Sequence, residues 1–222
     1  MIKSISTNKG FTLTEMLVVM GIVAILMSVI VFNYQNANSK SILKNVAYDV
    51  ALSIREVQSI GLGAKKYSVG STPSFNTPFG AQFNSGRDGY MIFADEDDNR
   101  KCNESSSLCA CPDGECLSEI TSVYGGVELY DACVSDSDGS NPSCITDPID
   151  YVSVIFKRPN PDAKIYASND SNSPRNLLRI FFQSKGDDEA QMIKITNTGQ
   201  VSVKDCNLEK AIEGYKTAGN CI

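Results

Sequence analysis

Between Phe11 and Phe32 the chain runs 22 residues with a single charged side chain, Glu15. Wound as a helix at about 1.5 Å per residue, such a run spans roughly the 30 Å hydrocarbon core of a bilayer. Lys3 and Lys9 precede it, and the positive-inside rule then predicts a cytoplasmic N-terminus. An ordinary secretory signal would have a shorter apolar stretch followed by an Ala-x-Ala-like cleavage site, and neither is clear here. Glu15 is the anomaly. A carboxylate deep in a bilayer costs on the order of 2.5–3.5 kcal/mol. Four residues beyond Phe11 it lies only about 6 Å into the helix, so the cost is smaller. It still calls for a partner, unless it merely complements the positive end of the helix dipole.

The residues around that carboxylate are Lys9-Gly10-Phe11-Thr12-Leu13-Thr14-Glu15. Followed at once by the apolar run, they resemble the class III signal of type IV pilins and type II secretion pseudopilins. The resemblance implies that a prepilin peptidase cuts after Gly10 and that the new N-terminal Phe11 is methylated on its amine. It also implies that Glu15 guides assembly by pairing with the Phe11 amine of a neighbouring subunit. Many major pilins have a proline where this chain has Phe32, and no proline occurs from Phe11 to Gly63. A straighter helix is expected, which fits a minor pilin or pseudopilin at least as well as a major pilin.

Beyond the apolar run, Ile42, Leu43, Val46, Val50, Ile54 and Val57 recur at three- and four-residue spacing. Lys44, Asn45, Asp49, Ser53, Arg55 and Glu56 fill the gaps. The pattern is an amphipathic stripe facing a core, with Gly61 and Gly63 as candidate stops. Strand signals follow. Gly80–Phe83 and Gly89–Phe93 bracket a turn and predict a hairpin. Tyr151–Phe156 is β-branched and aromatic, with Pro159 and Pro161 after it as breakers. Leu177–Phe182, Met192–Ile195 and Val201–Val203 complete the set, with a turn at Thr198-Gly199. The pieces Phe79-Gly80-x-x-Phe83, Tyr90-x-Ile-Phe-Ala-Asp95, Ile155–Ala163 and Thr196-x-x-Gly199-x-Val201 resemble minor pseudopilins and minor type IV pilins.

Charge is unevenly spread. The net charge is −6, yet residues 95–150 hold 14 of the 26 acids and only Arg100 and Lys101 as bases. Six of the eight cysteines fall there too. This reads as an insertion at about 96–148. The expected organisation is a leader at 1–10, a transmembrane or filament-core helix at 11–33, its amphipathic continuation at 34–62 and a globular domain at 63–222. The fold class is α+β: a long helix, its hydrophobic half protruding, packed on an antiparallel sheet, with a disulfide-rich insertion.

The globular part would lie outside the cytoplasmic membrane, where disulfides persist. The resemblance implies a C-terminal disulfide loop between Cys206 and Cys221. Cys102, Cys109, Cys111, Cys116, Cys133 and Cys144 are further disulfide candidates whose pairing stays open, since six cysteines allow about 15 connectivities. The spacing of Cys102, Cys109, Cys111 and Cys116 lacks the paired Cys-x2-Cys hooks of structural zinc. Asp95, Asp97 and Asn99 offer hard oxygens to calcium. The EF-hand loop, however, needs Gly and Glu where Arg100 and Ser106 stand, so a solvated acidic turn is the competing reading.

With no histidine, no His-dependent triad can be built within the chain, and no phosphate-binding glycine loop appears. An enzyme is not expected, nor any cofactor apart from the calcium candidate. The expected function is that of a structural subunit of a type IV pilus or type II secretion pseudopilus. The alternative is a binding module at a filament tip, for adhesion, cargo or DNA. Expected partners are other pilin or pseudopilin subunits, the prepilin peptidase, an inner-membrane assembly platform and, before assembly, the membrane. Nucleic acid is not expected, because the acidic segment repels phosphate, although Lys157, Arg158 and Lys164 could form a small basic face.

Overall fold

A computed structural model describes residues 10–63, 76–84, 89–95, 98–102, 116–120, 126–137, 142–145, 150–168, 173–184 and 189–207. Helix α1 runs without interruption over Leu13–Leu62. The chain divides into two compact units, Met1–Ser39 and Lys40–Ile222. The amphipathic part of the helix thus belongs with the globular unit from Lys40 onward.

In the first unit the side chains from Phe11 to Val31 are exposed. Leu13–Val31 is long and apolar enough to cross a membrane. Ser28 Oγ donates to Ile25 O at 2.7 Å, so its hydroxyl is satisfied inside the helix.

In the second unit the sequence stripe becomes a buried face. Leu43, Val46, Val50, Ile54 and Val57 are buried, joined by Ala47 and Ala51, with Ile42 packed at the margin. Gly63 ends the helix, its N–H donating to Ser59 O at 2.9 Å and Ile60 O at 3.1 Å. Gly61 has another purpose than the stop expected of it. It lies inside α1, and a Cβ there would come within 2.7 Å of Phe156 O. Glycine is what lets the helix approach that strand.

Two five-stranded antiparallel sheets surround the helix face. The first contains β1 (Phe79–Asn84), β2 (Tyr90–Ala94), β3 (Cys116–Ile120), β6 (Tyr151–Lys157) and β7 (Asn160–Ala167), in the order β3-β2-β1-β6-β7. The second contains β4 (Val127–Ser135), β5 (Ser143–Cys144), β8 (Leu177–Ser184), β9 (Glu189–Thr196) and β10 (Val201–Asn207), in the order β10-β9-β8-β4-β5. The expected hairpin forms, with Phe83 opposite Tyr90 and their rings stacked 5.4 Å apart. One sheet was expected and two are found.

The second sheet draws on the acid-rich segment. Strand β4 pairs along its length with β8, and Val127, Ala132 and Val134 enter the main core beside Leu178, Ile180 and Phe182. Strands β3, β4 and β5, all from the segment set apart by its charge, are therefore built into the body. Pro161 does not keep the chain out of a sheet either. It is the second residue of β7, an edge strand that follows a two-residue turn at Arg158-Pro159. An edge strand loses little from a missing N–H, so proline is tolerated there.

The sheets are stitched together at that edge. Ala163 N donates to Asn197 O at 2.8 Å and Arg175 N to Ile165 O at 2.7 Å. Helix side chains reach the second sheet as well: Arg55 Nη2 donates to Val201 O at 3.1 Å and Gln58 Nε2 to Gly199 O at 3.2 Å. Gly199 turns β9 into β10 at φ +80°, and a Cβ there would meet Pro161 O at 2.5 Å.

Candidate functional site: the N-terminal segment and the sulfur clusters

The helix start is set by a local device. Thr12 stands just before α1, and its Oγ1 accepts a hydrogen bond from Glu15 N at 3.3 Å. Thr12 O receives the next turn, from Met16 N at 3.2 Å. Thr-x-x-Glu at a helix start is the sequence of a capping box, and the threonine half of it is formed here. Glu15 therefore lies in the first turn, where the helix dipole favours a negative charge. Sequence reasoning weighed that dipole but missed the cap, although Thr12 and Glu15 three residues apart carried the signal.

Gly10 has no structural duty of this kind. Among the described residues, a Cβ on it would meet nothing within 4 Å. Phe11 is exposed, as are Leu17, Val18, Ile22, Ile25 and Ile30.

A family model described as the prokaryotic N-terminal methylation motif matches residues 5–31. The chain carries that motif. It is the class III signal of type IV pilins and pseudopilins. A signal of this type implies, in general terms, a prepilin peptidase and assembly with other pilin-type subunits. With the apolar helix, it points to membrane anchoring before assembly. No curated protein and no solved structure matches the chain.

The acidic turn after β2 is not solvated at its root. Asp95 is 1% exposed, and its Oδ2 accepts from Arg100 N at 3.2 Å. Asn99 Oδ1 accepts from Lys101 N at 2.9 Å. Both side chains thus close the turn locally, with Asp98 and Arg100 at positive φ. Asp97, the third calcium candidate, lies outside the described residues. Ser153 Oγ donates to Arg100 O at 2.7 Å, and the Arg100 guanidinium sits 4.9 Å over the Tyr166 ring. Burial raises the Tyr166 pKa; the Arg100 charge opposes this while Asp98 and Asp95 add to it. Of the three basic candidates, Lys157 pairs with Asp98 at 3.6 Å and Lys164 is exposed.

The described cysteines gather in two small clusters apart from the main core, one against each sheet. On the first, Cys102 and Cys116 bring their sulfurs within 3.2 Å beside Met91, Phe93, Ile155 and Tyr166. On the second, Cys133 and Cys206 pack with Phe181, Ala190 and Met192, and Cys144 lies against them. Cys109, Cys111 and Cys221 lie outside the described residues, and with Cys221 the expected C-terminal pairing.

Cys133 and Cys144 face each other across β4 and β5, and Asp131 joins them. One ligand atom from each of the three lies within 4.8 Å of the others. Burial pushes the Cys144 thiol up, and the Asp131 carboxylate pushes it further by charge and by accepting its hydrogen bond. Arg179, paired in register with Cys133, has its pKa lowered by burial, against which Cys144 acts. Sequence reasoning did not single out Asp131, because nothing local distinguishes it from the other acids around it.

Proposed function

We infer that this chain is a structural subunit, a minor pilin or pseudopilin, of a type IV pilus or type II secretion pseudopilus. The observation that carries this reading is a methylation motif joined to an exposed helix whose apolar length holds one carboxylate. The leader ends at Gly10, the peptidase exposes the Phe11 amine, and that amine is methylated. The exposed side chains of α1 then leave lipid and pack against neighbouring helices. Glu15 meets the Phe11 amine of the adjoining subunit and sets the register.

The open space around Gly10 supports this account. Among the described residues nothing imposes a need for glycine there, so a need for it would come from an enzyme that must accommodate the chain at the cut. The globular part stands outside the cytoplasmic membrane, and disulfides among its cysteines hold it. The task is mechanical, and no catalysis is assigned to the chain.

The test is processing followed by incorporation. Gly10→Arg should abolish the mature-sized product on immunoblots, and Phe11 of the wild type should carry an N-methyl group by mass spectrometry. Glu15→Ala should be cut normally yet be depleted from sheared filaments or from cross-linked pseudopilin complexes. A mature-sized band from Gly10→Arg would refute the peptidase step, and normal incorporation of Glu15→Ala would refute the pairing.

A further inference from the structure

The hydrogen bonding between β4 and β5 fixes more than their register. Ile145 N donates to Ala132 O at 3.0 Å, which makes 132 and 145 a hydrogen-bonded pair of the antiparallel ladder. Such pairs alternate with pairs that exchange no hydrogen bonds, so Cys133 and Cys144, the next in register, form one of the latter. In pairs of that kind the Cα atoms are about 4.5 Å apart and the side chains lie closest. Disulfides accept Cα separations of about 4.4–6.8 Å. Both sulfurs are thiols in the structure and lie within 4.8 Å of each other.

We propose that Cys133 and Cys144 are a cross-strand disulfide site that clasps the edge strand β5 to β4. The proposal rests on the extracytoplasmic placement of the globular unit for its oxidising surroundings. It takes the pairing from the ladder alone. The oxidant is a disulfide, carried by a thiol–disulfide oxidoreductase or by a small molecule. Cys144 is half-buried while Cys133 is fully buried, so Cys144 is the sulfur that meets it. The Cys144 sulfur, losing its proton as it attacks, bonds to one oxidant sulfur, forming a mixed disulfide and expelling a thiolate. Cys133, losing its proton, then attacks the Cys144 sulfur of that mixed disulfide and expels the second thiolate. Two protons pass from the cysteines to the departing thiolates, and two electrons pass to the oxidant, which leaves as two thiols.

The clasp acts where the sheet is weakest. Strand β5 has two residues and, among the described residues, is the last strand in its sheet and pairs only with β4. The same three ligand atoms could instead gather a thiophilic cation, for which two thiolates and a carboxylate are suitable donors. Against this stands Arg179, a cation paired in register with Cys133.

The experiment uses the full chain, made with its own N-terminal signal and extracted in detergent with N-ethylmaleimide present. Asp-N digestion cuts between the two cysteines. Without reduction it should yield one species joining the Cys133 and Cys144 peptides, which reduction resolves into two. Alkylation of both residues in cells is then compared with the purified dithiol treated with oxidised glutathione. Closure in the tube but not in the cell upholds the pairing and refutes the placement. Failure to close in the tube refutes the pairing, as does linkage of either residue to another cysteine, or stoichiometric zinc bound through these thiols. The oxidised wild type should melt on the order of 5–10 °C above a Cys133→Ala/Cys144→Ala double variant. Dithiothreitol should erase that difference, and equal melting of the two oxidised proteins would overturn the clasp.

Discussion

Helix α1 contains two kinds of apolar residue that a composition count cannot tell apart. Leu17, Ile22 and Ile25 are exposed, whereas Leu43, Val50 and Ile54 are buried. What separates them is spacing. In the first half apolar side chains occupy every side of the helix, and in the second they occupy one stripe with polar residues between. A stripe can be satisfied by the chain's own sheets. A helix apolar on all sides needs a solvent or a partner that is itself apolar.

That contrast can be broken from either half. The largest effect is expected for Ile54→Ala, which empties a fully buried site and should cost about 2–5 kcal/mol of unfolding free energy. Its check is denaturant melting of the detergent-solubilised chain, while alkaline carbonate extraction should still leave the protein in the membrane. Ile22→Lys is the reverse experiment. A cation there should penalise insertion by on the order of 2.5–3.5 kcal/mol and raise the carbonate-extractable fraction, with the melting of the globular unit unchanged. If either variant moved both readouts together, the two halves would not be the separate solutions described here.

Smaller changes sharpen the picture. Gly199→Ala forces a Cβ toward Pro161 O at a positive φ, and a loss of about 1–3 kcal/mol is expected in the same melts. Thr12→Ala removes the cap at the helix start and should lower helicity there by about 1 kcal/mol, seen as faster amide exchange in the first turn. At the small end, calcium or a chelator across the millimolar range should leave the melting midpoint where it is, because Asp95 and Asn99 already close their own turn.

What the sequence disclosed follows the same division between local and distant causes. The stripe on α1, the hairpin β1–β2 and the strands β6, β8, β9 and β10 were legible, because alternation and turn residues write them into adjacent positions. The methylation motif was legible for that reason too, its most telling residues standing as a run of seven. Strand β7 was hidden by Pro161, whose tolerance depends on the strand's place at an edge. Strand β4 was hidden by its acidic neighbourhood, and β5, with two residues, has no pattern to show. The partnership of Cys133 with Cys144 could not be read at all. It depends on a hydrogen-bond phase between two strands, which no spacing of cysteines encodes.

The position of β4 also limits how this molecule can be dismantled. It lies between β5 and β8, and it is drawn from the acid-rich part of the chain. A graft or deletion that treated residues 96–148 as a cassette would peel β4 away and lay open the flank of Leu178, Ile180 and Phe182. Val127–Ser135 has to stay, and so does Ile145, which is buried in the same core.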